Sequence, residues 1–330
     1  MRKEFWQSNF RKKTRSFLIV RVLSILYKKY LLFRHIFLTL VLKPFYSLKA
    51  RNITLPSAHE TSAQVIVSLT TYTKRINAVD YTLCSIFSQS ILPNKIVLTL
   101  IENEFPNGEK SIPSKILKLK KRGLEILWAQ QNLKPHNKYY YTMEKYSESI
   151  IVTVDDDILY PRHTIKKLLN GYQHFPSAIS AISTLKFKTE KNIVLPYSQA
   201  IPCYDTFIME PRFDLCAEGY AGVLYPPNIL PRETFNKENI LECAPIHDDL
   251  WLKYMELLAN IPVVCVARYK DPVVMYNVQK TALLNTNSIL NKSDVQQQQL
   301  IKKYNIQDDF ILGKIRICSP SSLQPTTDAT

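Results

Sequence analysis

The sequence predicts an α/β domain built on a mostly parallel sheet, and three observations carry the prediction. Predominantly apolar segments without polar alternation (64–70, 95–101, 150–154) alternate with segments of helical character, the pattern of strands covered on both faces. A hydrophobic content of 46% in 330 residues supplies enough core for one large domain. Only six glycines stand against nineteen prolines, with neither GxGxxG nor GxxxxGK[ST], so the two commonest glycine-rich phosphate loops are excluded.

Residues 1–51 read as a separate basic arm. Thirteen Lys and Arg lie there with one acid, Glu4, so the arm carries +12 of the net +15. Between Phe17 and Leu42 it is rich in Leu, Ile, Val and Phe, interrupted by Arg21, Lys28, Lys29, Arg34 and His35. Its longest apolar run is too short to span a bilayer, which takes about 20 residues. Arg21 splits the apolar stretch and no small-residue cleavage site follows, so a signal peptide is not expected. Arg21, Lys28 and His35 recur every seven residues, with Ser24 on the same side. The result is one polar stripe on an otherwise apolar helix, suited to lying in the headgroup plane. Each basic residue near an anionic membrane surface adds about 1 kcal/mol. The alternative is a helix packed on the domain with its basic face in water. Nucleic acid is not an expected partner, because the basic residues are interleaved with Leu and Ile rather than stacking aromatics.

Residues 52–62 (NITLPSAHETS) read as a polar linker, and 63–318 as the main globular domain. Its expected order begins with a strand over 64–70, a helix over 79–88, a strand over 95–101 and a basic helix over 114–121 ending at Gly123. It continues with a strand over 124–128, a helix over 138–146, a strand over 150–154 and a helix over 164–171. A less regular stretch to Pro231 precedes a helix over 248–258. Six cysteines (84, 203, 216, 243, 265, 318) have no CxxC or zinc spacing and are expected as buried thiols. Residues 319–330 are polar and expected to be disordered.

The fourth strand runs straight into Asp155, Asp156 and Asp157. Three adjacent like charges repel, so folding alone gives little reason to place them there. Ligands of parallel α/β sheets bind beyond the carboxyl ends of the strands. Strand alternation sets Asp155 and Asp157 on one side and Asp156 on the other. Two converging carboxylates suit a hard divalent cation whose shell is completed by phosphate oxygens. The alternative is a loop of acids capping the helix at Thr164. Further on, Asp248 and Asp249 follow His247 at a helix start. Adjacent carboxylates raise one another's pKa, which suits a base, although Asp is also favoured there as a cap.

Taken together, 65–71 with Tyr72-Thr-Lys-Arg75, the Asp-x-Asp element and His247-Asp-Asp-Leu-Trp251 resemble a family. It is that of bacterial glycosyltransferases of the GT-A (Rossmann-like) fold, related to family 2 and acting on cell-surface polysaccharides. The resemblance covers residues 63–305. It implies that Asp155 and Asp157 hold Mn2+ or Mg2+ against the donor's diphosphate. By the same resemblance, Thr70, Thr71, Tyr72, Arg75 and Asp156 belong to the nucleotide pocket, and Lys138 meets the diphosphate. Asp249 becomes the general base with Asp248 its neighbour, and His247 a further metal or diphosphate contact. Gly219, Tyr220 and Gly222 border the donor and acceptor sugars. Lys138 has the alternative of a solvated helix residue, and the glycines that of an ordinary turn. Two departures stand out. The acid after the second strand is contested between Glu102 and Glu104, and no QxxRW-type motif is present, which implies addition of one sugar rather than polymerisation.

The expected function is metal-dependent transfer of a hexosyl-type sugar from a nucleotide sugar, a UDP-sugar first, to a glycan. The acceptor is expected to be lipid-linked or an oligosaccharide, in capsule, exopolysaccharide or lipopolysaccharide synthesis. Transfer would be inverting if Asp249 is the base, with the protein peripheral on the cytoplasmic face of the plasma membrane. One alternative is a nucleotidyltransferase making the activated sugar, which needs a glycine-rich basic loop that 70–75 lacks. Another is a non-catalytic membrane-associated glycan-binding protein, against which an intact Asp-x-Asp argues.

Overall fold

The computed structural model describes residues 26–57 (apart from 28, 31 and 35), 63–191, 193–203, 206–268, 273–274 and 287–306. Residues 1–25 of the arm, 58–62 of the linker and the expected tail over 319–330 lie outside the described residues.

Helix α1 occupies the described positions between 26 and 50. The domain then runs β1 (Val65–Thr70), α2 (Val79–Phe87), β2 (Lys95–Ile101), α3 (Ser114–Lys120), β3 (Leu124–Ala129), α4 (Tyr140–Lys145) and β4 (Ile150–Thr153). Next come β5 (Ile158–Leu159), α5 (Thr164–His174), β6 (Ile179–Ala181) and β7 (Thr184–Lys186). Short strands β8 (Thr189–Glu190), β9 (Ile193–Val194), β10 (Ile201–Pro202), β11 (Pro211–Arg212), β12 (Leu215–Ala217) and β13 (Val223–Tyr225) fill the stretch expected to be less regular. The chain closes with α6 (Lys237–Cys243), α7 (Asp248–Leu258), β14 (Val263–Cys265), β15 (Val273–Val274) and α8 (Asn287–Lys303).

Eight strands form the central sheet in the order β11-β14-β6-β13-β4-β1-β2-β3. The β4-β1-β2-β3 half is wholly parallel, as is β14 with β6, while β13 and β11 run antiparallel to their neighbours. The sheet is therefore mostly parallel, as expected. Strand alternation divides the core between its two faces. Val67, Leu69, Ile96, Leu98 and Val152 pack with Leu83 and Phe87 of α2, Ile116 of α3 and Leu168 of α5. Ile66, Val97 and Ile151 pack with Met143 of α4, Ile240 of α6 and Trp251 and Tyr254 of α7. Helices cover both faces, so each buried Leu, Ile or Phe contributes about 1.5–3 kcal/mol. The five described cysteines are free thiols, four of them buried.

Residues 52–57, expected as linker, lie against the α3–β3 corner. Leu55 is buried and its amide donates to Arg122 O at 2.9 Å, while Arg122 Nε donates to Ile53 O at 2.6 Å. The C-terminal turns of α1 dock through Leu42 and Tyr46 on Ala78, Tyr81 and Leu159. Elsewhere α1 turns apolar residues outward: Phe33 is 67% exposed and Leu40 69%, with Tyr30, Phe37 and Leu48 exposed as well. α1 therefore both packs on the domain and exposes apolar residues, while Arg21, Lys28 and His35 of the expected polar stripe lie outside the described residues. Among the described residues no helix is long and apolar enough to cross a membrane.

Candidate functional site

The site forms where β1, β2 and β4 end, all at the same edge because the three strands are parallel. At its centre is Lys138. The preceding turn, Lys134–Lys138, is tightened by Pro135 near its start and by Asn137 Oδ1, which accepts from Leu133 N at 2.9 Å. Ser68, a polar residue inside apolar β1, donates to Lys138 O at 2.6 Å and anchors the turn to the sheet. The Lys138 ammonium is thereby held 3.0 Å from Asp155 Oδ1, 2.8 Å from Asp248 Oδ2 and 3.9 Å from Asp249 Oδ1. At 7% exposure it is no solvated helix residue.

Asp248 and Asp249 reach this point because α7 begins at Asp248. Its N-cap is His247, whose Nδ1 accepts from Leu250 N at 3.2 Å. A histidine thus takes the capping role that the sequence offered to the aspartates and frees both carboxylates for Lys138. The same bond and an edge-on contact to Tyr197 at 4.6 Å fix the imidazole through Nδ1 and the ring edge.

The three acids divide differently from the strand-alternation expectation. β4 ends at Thr153 and the chain turns over Asp156 and Asp157, so a period of two no longer applies. Asp155 faces Lys138, whereas Asp156 and Asp157 both face Arg75, whose Nη1 lies 2.6 Å and 3.4 Å from them. Asp156 also accepts from Thr71 Oγ1 at 2.5 Å, so it braces the loop after β1. Thr70 donates to Thr99 O at 2.9 Å, and the Arg75 guanidinium lies 5.7 Å over the Tyr72 ring. Thr70, Thr71, Tyr72 and Arg75 thus stand together beside the acids.

On the other flank the Gly219–Ala221 turn closes over Lys138 and Asp249. The Gly219 amide donates to Asp249 Oδ2 at 3.1 Å. A Cβ at Gly219 would stand 2.6 Å from Asp249 Oδ1 and closer still to Lys138 Nζ, so close approach requires glycine here. Gly222 is glycine for a different reason, a φ of +104°. Tyr220 is half-buried, with its hydroxyl 3.4 Å from Ser183 Oγ.

Several residues of this neighbourhood carried no motif. Glu218 accepts from Ser183 Oγ at 2.6 Å, and burial raises its pKa. Fully buried His136 bridges Tyr139 Oη at 3.0 Å and Ala244 O at 2.8 Å. A carbonyl only accepts, so Nε2 carries the proton and Nδ1 accepts from the phenol. The clamp ties the Lys138 turn to the segment before α7. Between the contested acids, Glu102 is exposed, while Glu104 accepts from Asn132 at 2.7 Å and its other oxygen is enclosed without a hydrogen-bond partner.

Five carboxylates (Asp155, Asp156, Asp157, Asp248, Asp249) face two cations, Lys138 and Arg75. Burial, then the charges of Asp155 and Asp156, push Asp157 up to about 7 against the pull of Arg75. Burial and the Asp248 charge raise Asp249 well above the ordinary range, opposed by Lys138 and the Gly219 amide. Burial also acts on Asp248, but Lys138, His136 and His247 outweigh it and hold that carboxylate low. Burial works against the charge on Lys138, yet Asp155, Asp248 and Asp249 hold its pKa well up. An all-oxygen set with surplus negative charge suits a hard divalent cation, which relieves the repulsion that protons otherwise relieve. Among the described residues no group of three or more His, Cys, Asp or Glu could hold a metal on its own. Asp155, a third exposed, and Asp157 could supply part of a shell that phosphate oxygens complete.

No family model matches this sequence, and no curated protein sequence is similar to it. Solved structures share parts of its chain trace. One is S. aureus TarS (residues 1–349), with 13% identity and a TM-score of 0.41 over 75% of this chain and 74% of that one. Another is the mannosyltransferase PcManGT from Pyrobaculum calidifontis in complex with GDP-Man and Mn2+. It has 10% identity and a TM-score of 0.40 over 87% of this chain and 84% of that one. A third is a 4-diphosphocytidyl-2C-methyl-D-erythritol synthase, with 11% identity and a TM-score of 0.40 over 67% of this chain and 99% of that one.

Proposed function

We propose that this chain is a metal-dependent glycosyltransferase that moves a sugar from a nucleotide sugar to a glycan hydroxyl with inversion. The observation that carries the reading is Lys138, a buried ammonium shared by Asp155, Asp248 and Asp249 at the carboxyl end of a parallel sheet. Lys138 and Arg75, both paired with the site's carboxylates, are the cations this reading assigns to the diphosphate, and Arg presents a fork that matches phosphate oxygens. Mn2+ or Mg2+ held by Asp155 and Asp157 would supply Lewis-acid neutralisation of the leaving diphosphate.

Asp249 is the base. Its environment favours the proton while that of Asp248 does not, and two carboxylates with proton affinities pushed apart divide the roles. Asp249 keeps 21% side-chain exposure, so an acceptor can reach it. Asp249 takes the acceptor hydroxyl's proton as that oxygen bonds to the anomeric carbon. The bond from that carbon to the diphosphate oxygen breaks, and its electron pair leaves with the nucleoside diphosphate. Asp248 stays ionised and keeps Lys138 in place. The Gly219 amide orients Asp249 and, with Gly222 and Tyr220, forms the wall on the sugar side.

The acceptor in this reading is lipid-linked, presented at an anionic membrane surface. Two features support it: the +12 charge of residues 1–51 and the outward apolar row of α1. The test is a calorimetric screen of UDP-, GDP-, CMP- and TDP-sugars with Mn2+, repeated with Asp249→Asn. Expected are metal-dependent donor binding in both proteins and loss of transfer in the variant. Loss of donor binding in Asp249→Asn would make Asp249 a ligand instead, and no binding of any donor would refute the reading.

A further inference from the structure

The site has two halves, and one buried phenol joins them. The β4–β13 ladder ends with the register pair Thr153 and Val223. Beyond it the chains continue as the acid turn (155–157) and the glycine turn (219–222). Two residues past the pair on one chain and three on the other, Asp155 and Tyr220 are connected through Tyr160. Its hydroxyl accepts from Asp155 N at 2.8 Å and donates to Tyr220 O at 2.7 Å. Accepting from an amide and donating to a carbonyl uses the hydroxyl's proton and a lone pair, a combination phenylalanine cannot reproduce.

The phenol is firmly held. Tyr160 is 1% exposed, its amide donates to Ser85 Oγ of α2 at 3.1 Å, and its carbonyl accepts from Tyr46 Oη of α1 at 3.1 Å. Burial, then the Asp155 charge, raise its pKa well above the ordinary value, so the hydroxyl keeps the proton it donates. What the bridge joins matters most. Asp155 is the acid paired with Lys138, and the glycine turn carries the amide that holds Asp249.

We propose that Tyr160 is a positioning residue that fixes the acid turn relative to the glycine turn and so holds Asp155 and Asp249 in register around Lys138. The catalytic names of those two residues rest on the function proposed above; the mechanical coupling does not.

The test compares full-length wild type with Tyr160→Phe by hydrogen–deuterium exchange, reading peptides over 154–158, 218–223 and 95–101. Losing one or two net hydrogen bonds should speed exchange roughly 5- to 30-fold in the first two peptides, with 95–101 unchanged. An unchanged 218–223 peptide, or equal acceleration in 95–101, overturns the proposal. Tyr46→Phe removes a contact to the same residue's carbonyl but leaves the hydroxyl bridge, and should leave 218–223 at the wild-type rate. Equal acceleration there would place the coupling in α1 and not in the phenol.

In turnover, Tyr160→Phe should lower kcat about 10-fold with donor KM within about 2-fold, as expected for misregistered reacting groups. A wild-type kcat refutes the positioning role. If wild type turns over no nucleotide sugar, the proposed function fails, and the exchange comparison still decides the bridge. Should Tyr160→Phe not fold, the Cζ resonance of Tyr160 in wild type decides it in mixed H2O/D2O. Separate protonated and deuterated lines are expected from a protected hydroxyl, and one averaged line overturns the bridge.

Discussion

Gly219→Ala offers a direct measure of how much the site depends on close packing. The new Cβ would sit 2.6 Å from Asp249 Oδ1 and nearer still to Lys138 Nζ. Ordinary contact is about 3.5 Å, so the two groups must separate by about 1 Å. Gly219 is not among the positive-φ glycines, so alanine meets no backbone strain. The atom that yields is the far end of a flexible lysine, so the fold should survive with a stability change of about 1–3 kcal/mol. A 1 Å misplacement of a catalytic group costs roughly 10²-fold, or about 2.7 kcal/mol of transition-state stabilisation. The control is Gly222→Ala. There the Cβ has room, its nearest neighbour being 3.4 Å away, but φ is +104°. Alanine should therefore cost about 1–2 kcal/mol of stability, with a smaller loss of activity than Gly219→Ala because its Cβ meets Thr164 and Leu168 and neither Lys138 nor Asp249. Steady-state turnover of the donor identified in the screen, with thermal denaturation of both variants, separates the two effects. Wild-type kcat in Gly219→Ala, or an equal loss in both variants, would refute the geometric reasoning.

Other perturbations probe the electrostatics and the arm. Asp157→Asn should abolish metal-dependent nucleotide binding and raise Tm at pH 8. With a folded pKa of about 7 against about 3.9 unfolded, the native state holds a proton that the unfolded state releases. Stability from this group is present below about pH 4 and falls as pH rises through 7; an unaltered Tm at pH 8 would contradict that charge balance. His136, depressed to about 4 by burial, acts in the opposite sense. Its contribution is present above about pH 6.5 and lost towards pH 4, amounting to roughly 3 kcal/mol. Urea denaturation at pH 7 and 4.5 should show this loss in wild type and a shallower slope in His136→Gln; identical slopes would remove His136 as the source. Replacing Phe33, Phe37 and Leu40 by Glu should release the protein from anionic vesicles in sedimentation while donor turnover in solution is kept. Continued co-sedimentation would reject α1 as the membrane face.

The sheet and its helices were legible because their signals are local. Continuous runs such as KIVLTLI at 95–101 have one way to be buried, and the ends of β1, β2, β3 and β4 fall within a residue of expectation. By contrast, β5 (Ile158–Leu159) was not expected, and α5 runs three residues past its expected end. The short strands between 179 and 225 were not legible. Two- and three-residue segments such as 211–212 and 215–217 owe their pairing to distant partners, and no periodicity fits in so short a run. The polar residues that assemble the site fared likewise. Ser68 within β1 and His136 in the turn before Lys138 marked the anchor and the clamp, yet each is uninformative until its partner is known to be Lys138 O or Ala244 O.

By itself the sequence determined the layer architecture, the charge asymmetry between the arm and the domain, and the acids at the end of a strand. Those follow from burial, composition and strand period. Only the tertiary structure decided how the acids divide. A turn after Thr153 gave Asp156 and Asp157 to Arg75 and Asp155 to Lys138. It also decided that His247 caps α7 and that Asp248 and Asp249 converge on Lys138 from 110 residues away in the chain. The physical reason is that side-chain period ends with the strand. Beyond it, direction is set by whichever charge or hydrogen-bond partner the fold brings within about 3 Å.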